Sequence, residues 1–187
     1  MSAHILRLHD VLYKSKVNGP GVRTVIWTQG CDKRCDGCWN PDTWDPIYGR
    51  TVTVEEIVKK IPLHVINGIT FSGGEPFLQS LACAELSRAL KRMGKTVMCY
   101  TGYEYEELKK SGDSRVDEFL NCIDILVDGP YLKGFPPEHP WAGSGNQKVY
   151  ALKNGDIENV IQHEGAKMAI EHEYIISKDG TITATGL

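Results

Sequence analysis

Three cysteines fall within eight residues of this chain, as Cys31-Asp-Lys-Arg-Cys35-Asp-Gly-Cys38. The spacing Cys-x3-Cys-x2-Cys sits in a stretch flanked by Gly30 and Gly37, directly after a run rich in β-branched residues. Thiolates this close together can hold three corners of one compact metal cluster. A closed iron–sulfur site takes four cysteines, so a set of three leaves one iron without a protein ligand. The logic parallels catalytic zinc, where the missing protein ligand marks the place of the substrate. An open iron needs a chelating small molecule to complete it. A structural zinc site would want a fourth ligand at typical spacing, and neither a second Cys-x2-Cys pair nor a nearby His is present. A thioredoxin-like dithiol at Cys35 and Cys38 is a further alternative, for which Cys31 is superfluous. Cys83, Cys99 and Cys122 lie on a helix pattern and near strands, and are expected to pack as small buried hydrophobes.

The elements that must position this loop follow from the apolar pattern. Strands are expected over residues 22–28, 68–72, 95–100 and 123–127. A helix is expected over residues 54–61, where Thr53 and Glu56 form a capping box and Pro62 ends the run. A longer helix spans residues 78–93 with Gly94 suited to its C-cap, and residues 105–110 form a third. Strands separated by helices at these intervals argue for βαβ units, hence an α/β fold with a parallel sheet or partial barrel. Residues 133–145, rich in Pro and Gly, read as irregular. Residues 168–177 read as a strand, and Asp179-Gly180 signals a hairpin into residues 181–183, a terminal hairpin that could serve as an appended edge. The organisation is one domain: a core over residues 1–153 and a C-terminal extension over residues 154–187.

Composition narrows the function classes. The chain has 187 residues, of which 41% are hydrophobic and 24% charged, the range of an ordinary globular domain. A net charge of −3 gives no field that would hold nucleic acid or an anionic membrane. No apolar run reaches the ~20 residues of a membrane span. The N-terminal residues lack a basic stretch followed by an apolar block, so a cytoplasmic location is expected, where structural disulfides are rare.

With these elements in place, the cysteine spacing after a first strand resembles that of the radical S-adenosylmethionine (SAM) enzymes. In that superfamily three Cys hold a [4Fe–4S] cluster and SAM ligates the fourth iron. Ser72-Gly73-Gly74-Glu75-Pro76, at the end of the second strand, resembles its Gly-Gly-Glu motif, whose glycines allow close backbone approach to a ligand. A closer resemblance is to the activating enzymes of glycyl-radical proteins, above all those of anaerobic ribonucleoside-triphosphate reductases. It is carried, in order, by Asn18-Gly19-Pro20-Gly21-Val22-Arg23, Gly37-Cys38-Trp39-Asn40, Tyr100-Thr101-Gly102-Tyr103, residues 124–131 (DILVDGPY) and Gly143-Ser144-Gly145-Asn146-Gln147-Lys148. Gly145 stands where those relatives carry Ser, and Ala142 where they carry Arg.

The resemblance implies a partial (β/α) barrel of the radical SAM type with a C-terminal β-hairpin extension. It implies Cys31, Cys35 and Cys38 as cluster ligands, and Gly37, Cys38, Trp39, Ser72, Gly73, Gly74, Glu75, Thr101 and Asp128 as cofactor-binding residues. The implied activity is reductive cleavage of SAM to a 5′-deoxyadenosyl radical, which generates a glycyl radical on an anaerobic ribonucleotide reductase. The implied partners are that reductase and a low-potential electron donor such as flavodoxin or ferredoxin, whose docking Lys33 and Arg34 would assist by their charge. No side chain beyond the cluster need act as acid or base. The alternative is a radical SAM enzyme acting on a small molecule or peptide, for example one like the 7-carboxy-7-deazaguanine synthases.

Overall fold

The computed structural model describes residues 4–163, 172–176 and 179–186. In chain order its elements are β1 (Ile5–Ser15), β2 (Arg23–Thr28), β3 (Arg50–Thr53), α1 (Val54–Lys60), β4 (Gly68–Gly73), α2 (Ser80–Lys91) and β5 (Thr96–Tyr100). These are followed by α3 (Tyr105–Lys110), α4 (Ser114–Leu120), β6 (Ile125–Asp128), β7 (Lys148–Lys153), β8 (Asp156–Val160), β9 (Glu173–Ile176) and β10 (Ile182–Thr185). The strands β1 to β8 form one sheet in the order β3-β1-β2-β4-β5-β6-β7-β8. Its centre, β2-β4-β5-β6, is parallel, and the flanking pairs on both sides are antiparallel. The fold is therefore mixed α/β.

The four parallel strands are the four that the apolar runs anticipate. Every residue of β2 is buried, which explains why its pattern is a continuous apolar and β-branched run and not an alternation. The flanks β1, β3, β7 and β8 and the helix α4 carry no such signal. All five residues of β8 are exposed, and its extended state comes from antiparallel pairing with β7. The capping box of α1 forms as its residue types anticipate, with Glu56 N donating to Thr53 Oγ1 and Thr53 N to Glu56 Oε2. At the C-terminus β9 pairs antiparallel with β10, while residues 168–171 and 177 of the expected strand lie outside the described residues. This pair is a separate two-stranded sheet and not an added edge of the main one.

Alternation along the central strands divides their side chains between two environments. Ile26, Ile69, Phe71, Val97, Cys99 and Leu126 turn toward the helices and join Leu86, Leu90 and Phe119 in the main core. Phe119 stands edge-on to Phe71 at 5.3 Å and tilted against Phe77 at 4.8 Å. Each such side chain contributes about 1.5–3 kcal/mol by leaving water. The alternate residues Trp27, Ser72 and Tyr100 face away from the helices and line a cavity.

Arg23, fully buried on that second face, ties the strands together near their N-terminal ends. Its guanidinium donates to Thr70 Oγ1 at 2.7 Å, to Thr96 Oγ1 at 3.0 Å, and to the carbonyls of Pro20, Ile69 and Thr96. Burial lowers its pKa to about 10, which still leaves it charged at neutral pH. Charge-assisted bonds to carbonyls at the strand starts leave the opposite, C-terminal ends free for the loops that carry the motifs.

Candidate metal centre

The cysteine loop leaves β2 and returns to it, and backbone hydrogen bonds close its neck. Gly30 N donates to Thr43 O at 2.7 Å and Cys31 N to Trp44 O at 3.0 Å. Gln29, almost fully buried, donates its Nε2 to the carbonyls of both Asp42 and Asp45 at 2.8 Å. Inside the loop Cys38 N donates to Cys35 O, and Asn40 N approaches Cys38 Sγ at 3.4 Å. The three thiols are half-buried, in contrast to Cys83, Cys99 and Cys122, which are buried as expected. Burial pushes the thiol pKa up at Cys31, at Cys122 and furthest at Cys83 and Cys99, so the interior thiols stay protonated and inert.

The Gly-Gly-Glu segment is wedged against the base of this loop. A Cβ on Gly74 would lie 2.2 Å from Gly30 O, and one on Gly73 would lie 2.7 Å from the backbone of Trp27 and Thr28. Gly74 N donates to Thr28 O and Glu75 N to Gly30 O, each at 2.8 Å. The glycines thus allow the end of β4 to lie directly on the residues that launch the cysteines.

Glu75 spans from β4 to β5. Only 1% exposed, it accepts from Phe77 N at 3.0 Å, from Thr101 Oγ1 at 2.9 Å and from Gly102 N at 2.8 Å. Its carboxylate is thereby spent on protein donors, a role the motif alone does not reveal. Burial outweighs those donors and pushes its pKa up to about 7. The folded chain therefore holds this proton more tightly than the unfolded one, whose carboxyl titrates near 4.5. Stability contributed here is full at low pH and is lost as pH rises from about 4.5 to about 7. Urea titrations at pH 5 and pH 8 should show a loss on the order of 2–3 kcal/mol that Glu75→Gln lacks. Equal pH dependence in the two proteins would refute this account.

The motifs converge on one cavity of about 610 Å³. Cys31, Cys35, Cys38, Trp39, Ser72, Gly73, Gly74, Glu75 and Thr101 line it, and so bring most of the anticipated site together. Gly37 and Asp128 are not among its lining residues. Gly37 packs against Lys133, and a Cβ there would meet that side chain at 2.8 Å. Asp128 is turned toward the helix layer, where it accepts from Tyr105 N at the start of α3 at 2.7 Å. Residues not expected from the sequence to bind the cofactor also face the cavity, among them Asn18, Trp27, Tyr100 and Gln147. Gln147 knots its loop to the end of β6, accepting from Gly143 N and donating to Gly129 O. Gly145 in that loop lies where a Cβ would sit 2.5 Å from Pro136 O, which accounts for the absence of Ser. Lys33 stacks over the Tyr103 ring at 3.3 Å, and Tyr103 donates to Asp32, so the cysteine loop is braced against the segment after β5.

The donor set fits a cluster with one open corner. Among the described residues no three His, Cys, Asp or Glu side chains converge closely enough for a single metal ion. A four-iron cluster takes each thiolate at a different iron, so its ligands stand apart around the cube. Three half-buried thiols on one short loop, all lining one cavity, would hold three irons of such a cluster.

Residues 17–150 match the family model described as a 4Fe-4S single cluster domain, which defines the chain as an iron–sulfur protein. The anaerobic ribonucleoside-triphosphate reductase-activating protein of Enterobacteria phage T4 is 33% identical over 147 residues, covering 74% of this chain and 90% of the relative. Its Salmonella typhi counterpart is 31% identical over 159 residues, covering 79% of this chain and 100% of the relative. The chain belongs to this family of reductase-activating proteins, radical SAM enzymes with a [4Fe–4S] cluster and SAM as cofactors. The pyruvate formate-lyase-activating enzyme of Clostridium pasteurianum is 39% identical over 117 residues, but this chain covers only 49% of it. A solved structure, QueE from Escherichia coli, shares 16% identity and a TM-score of 0.46 over 52% of each chain, a likeness too distant to define the fold. Among the described residues no helix is long and apolar enough to cross a membrane.

Proposed function

We propose that this enzyme installs a glycyl radical on the catalytic subunit of an anaerobic ribonucleotide reductase in the cytoplasm. The observation that carries the reading is the single cavity shared by the three loop cysteines and the ends of β4 and β5. A [4Fe–4S] cluster held here would supply the electron for reductive cleavage of SAM to methionine and a 5′-deoxyadenosyl radical, the species that would take a hydrogen atom from a glycine Cα. Everything else falls to the chain itself. Cys31, Cys35 and Cys38 would hold three irons on a loop whose neck is closed by Thr43 and Trp44. Ser72, Gly73 and Gly74 offer backbone and hydroxyl groups to the methionyl end of SAM. Glu75 and Thr101 keep β4 and β5 in register around it, and Trp39 offers a ring to the adenine. The hydrogen moves as an atom, so no side chain serves as acid or base.

The sheet, with the motifs at the C-terminal ends of its parallel strands, reads as the partial barrel of the radical SAM enzymes, within a core over residues 1–153. The electron donor is a flavodoxin or ferredoxin, and exposed Arg34 on the cysteine loop offers it positive charge. The relatives named above are activating proteins of other enzymes, which favours a protein substrate over a small molecule. Anaerobic reconstitution of the cluster, followed by SAM, reductant and the reductase, should produce a glycyl-radical EPR signal on the reductase. Cleavage of SAM that leaves the reductase without a radical would refute the proposal.

A further inference from the structure

The hairpin of β9 and β10 lies beyond the matched residues 17–150, yet it forms part of the wall of the cysteine cavity. Tyr174, Ile182, Ala184 and Gly186 line the same space as Cys31, Cys35 and Cys38. The hairpin is fastened by Thr185, whose Oγ1 accepts from buried Asn18 Nδ2 at 3.0 Å and reaches Asn18 Oδ1 at 3.2 Å. The pairing register sets Ile182 opposite Ile176 and Ala184 opposite Tyr174, so these four side chains share the face opposite Thr185. Three of them are largely in solvent, at 67% for Tyr174, 72% for Ile176 and 64% for Ile182. Trp39, 68% exposed, lines the same cavity from the cysteine loop. Among the described residues no third strand pairs with this hairpin. An apolar face on a two-stranded ribbon beside a reaction cavity costs solubility unless something covers it.

The chemistry of the cavity limits what that something is. A hydrogen atom taken from a backbone Cα requires that Cα to be unshielded, which an extended segment provides and a helix does not. The cavity, about 610 Å³, would also hold the cluster and SAM, so what reaches it from the partner is a single narrow segment and not a folded domain. The geometry points to the β9–β10 hairpin as the docking shelf of the protein substrate. It receives an extended, glycine-bearing segment of the partner against Tyr174, Ile176 and Ile182 and so guides the glycine into the cavity. This inference rests on the proposed activity. The recognition is apolar packing with backbone pairing at a free strand edge, as in other strand-addition complexes.

The test uses the full chain with Tyr174→Ser and Ile182→Ser together, and separately Thr185→Val, which unfastens the hairpin. Both serine positions face solvent, so the core is untouched. Sedimentation of the cluster-free protein with the anaerobic ribonucleotide reductase should show the Kd rising roughly tenfold or more in the double variant. With the loaded enzyme, the KM for the reductase should rise in parallel while kcat stays within about twofold. Unchanged Kd and KM would overturn the inference. So would a higher radical yield in Thr185→Val, since the hairpin would then be a cover and not a shelf. An unaltered enzyme that binds the reductase but leaves it without a radical would overturn the activity itself, a different failure.

Discussion

Cys35→Ala should leave a folded protein that holds little iron and has lost at least ~100-fold of its SAM cleavage. The reason lies in the count of donors. Three thiols line the cavity, and among the described residues no three His, Cys, Asp or Glu side chains converge closely enough to hold a single metal ion elsewhere. Removing even a hydrogen-bond partner of a metal ligand costs ~10–100-fold in affinity or activity, so losing a ligand outright from a set of three costs more. The fold should survive, because Cys35 is half-exposed and the neck of its loop is closed by the backbone of Gly30, Cys31, Thr43 and Trp44. Cys122→Ala is the matched control, since that thiol is buried against the Ala84 and Glu118 carbonyls and away from the cavity. Iron content after anaerobic reconstitution, read beside circular dichroism, checks both. Equal iron in Cys35→Ala and in the unaltered protein would remove the basis for the cluster assignment.

Gly74→Ala should be among the most damaging single methyl additions at the described glycines, destabilising the chain by ~4 kcal/mol or more. The added carbon would sit 2.2 Å from Gly30 O, 2.8 Å from Gly30 C and 3.1 Å from Thr28 O. All three are backbone atoms of neighbouring structure, so no side-chain rotation relieves the overlap. Overpacking of this kind costs about 1–3 kcal/mol. Separating the segments also loses the bonds from Gly74 N to Thr28 O and from Glu75 N to Gly30 O, at about 1 kcal/mol each. For a chain of this size that total corresponds to a fall in Tm of roughly 10 °C. Because Gly30 immediately precedes Cys31, the displacement should also lower iron retention. Gly94→Ala is the contrast: it has φ of +73° but nothing within 4 Å, so only the left-handed backbone is strained, at about 1 kcal/mol. Similar Tm values for the two variants would show that the close approach of β4 to the cysteine loop is not what Gly74 protects.

The site was legible where chemistry and local sequence coincide. Cys31, Cys35 and Cys38 belong to one short loop, so their spacing announces them, whereas the adjacent residues Ser72–Glu75 stand out only through the family resemblance they share with that loop. Spacing announces less about orientation. Glu75 looks like a group aimed at a ligand, yet its oxygens are satisfied by Phe77, Thr101 and Gly102. Asp128 stands in a motif that ends a strand, yet alternation turns it to the helix layer and the first turn of α3. Which way a side chain points depends on partners far away in sequence, and no local pattern encodes them.

By itself, then, the sequence determined the four central strands, the helices α1, α2 and α3, and three closely spaced thiols able to share one cluster. These rest on short-range physics: continuous apolar runs that demand burial on both faces, capping residues such as Thr53, and thiols close enough along the chain to share one cluster. Only the tertiary structure decided the rest. The antiparallel flanks exist because the sheet supplies pairing partners to strands as exposed as β8. The glycines of Gly73-Gly74 matter because β4 must lie on Gly30. The terminal hairpin, legible as a hairpin, is fastened beside the cavity by hydrogen bonds between Thr185 and Asn18, 167 residues apart in the chain. Such contacts form when the folded sheet brings distant residues together, so they follow from the whole packing and not from any window of sequence.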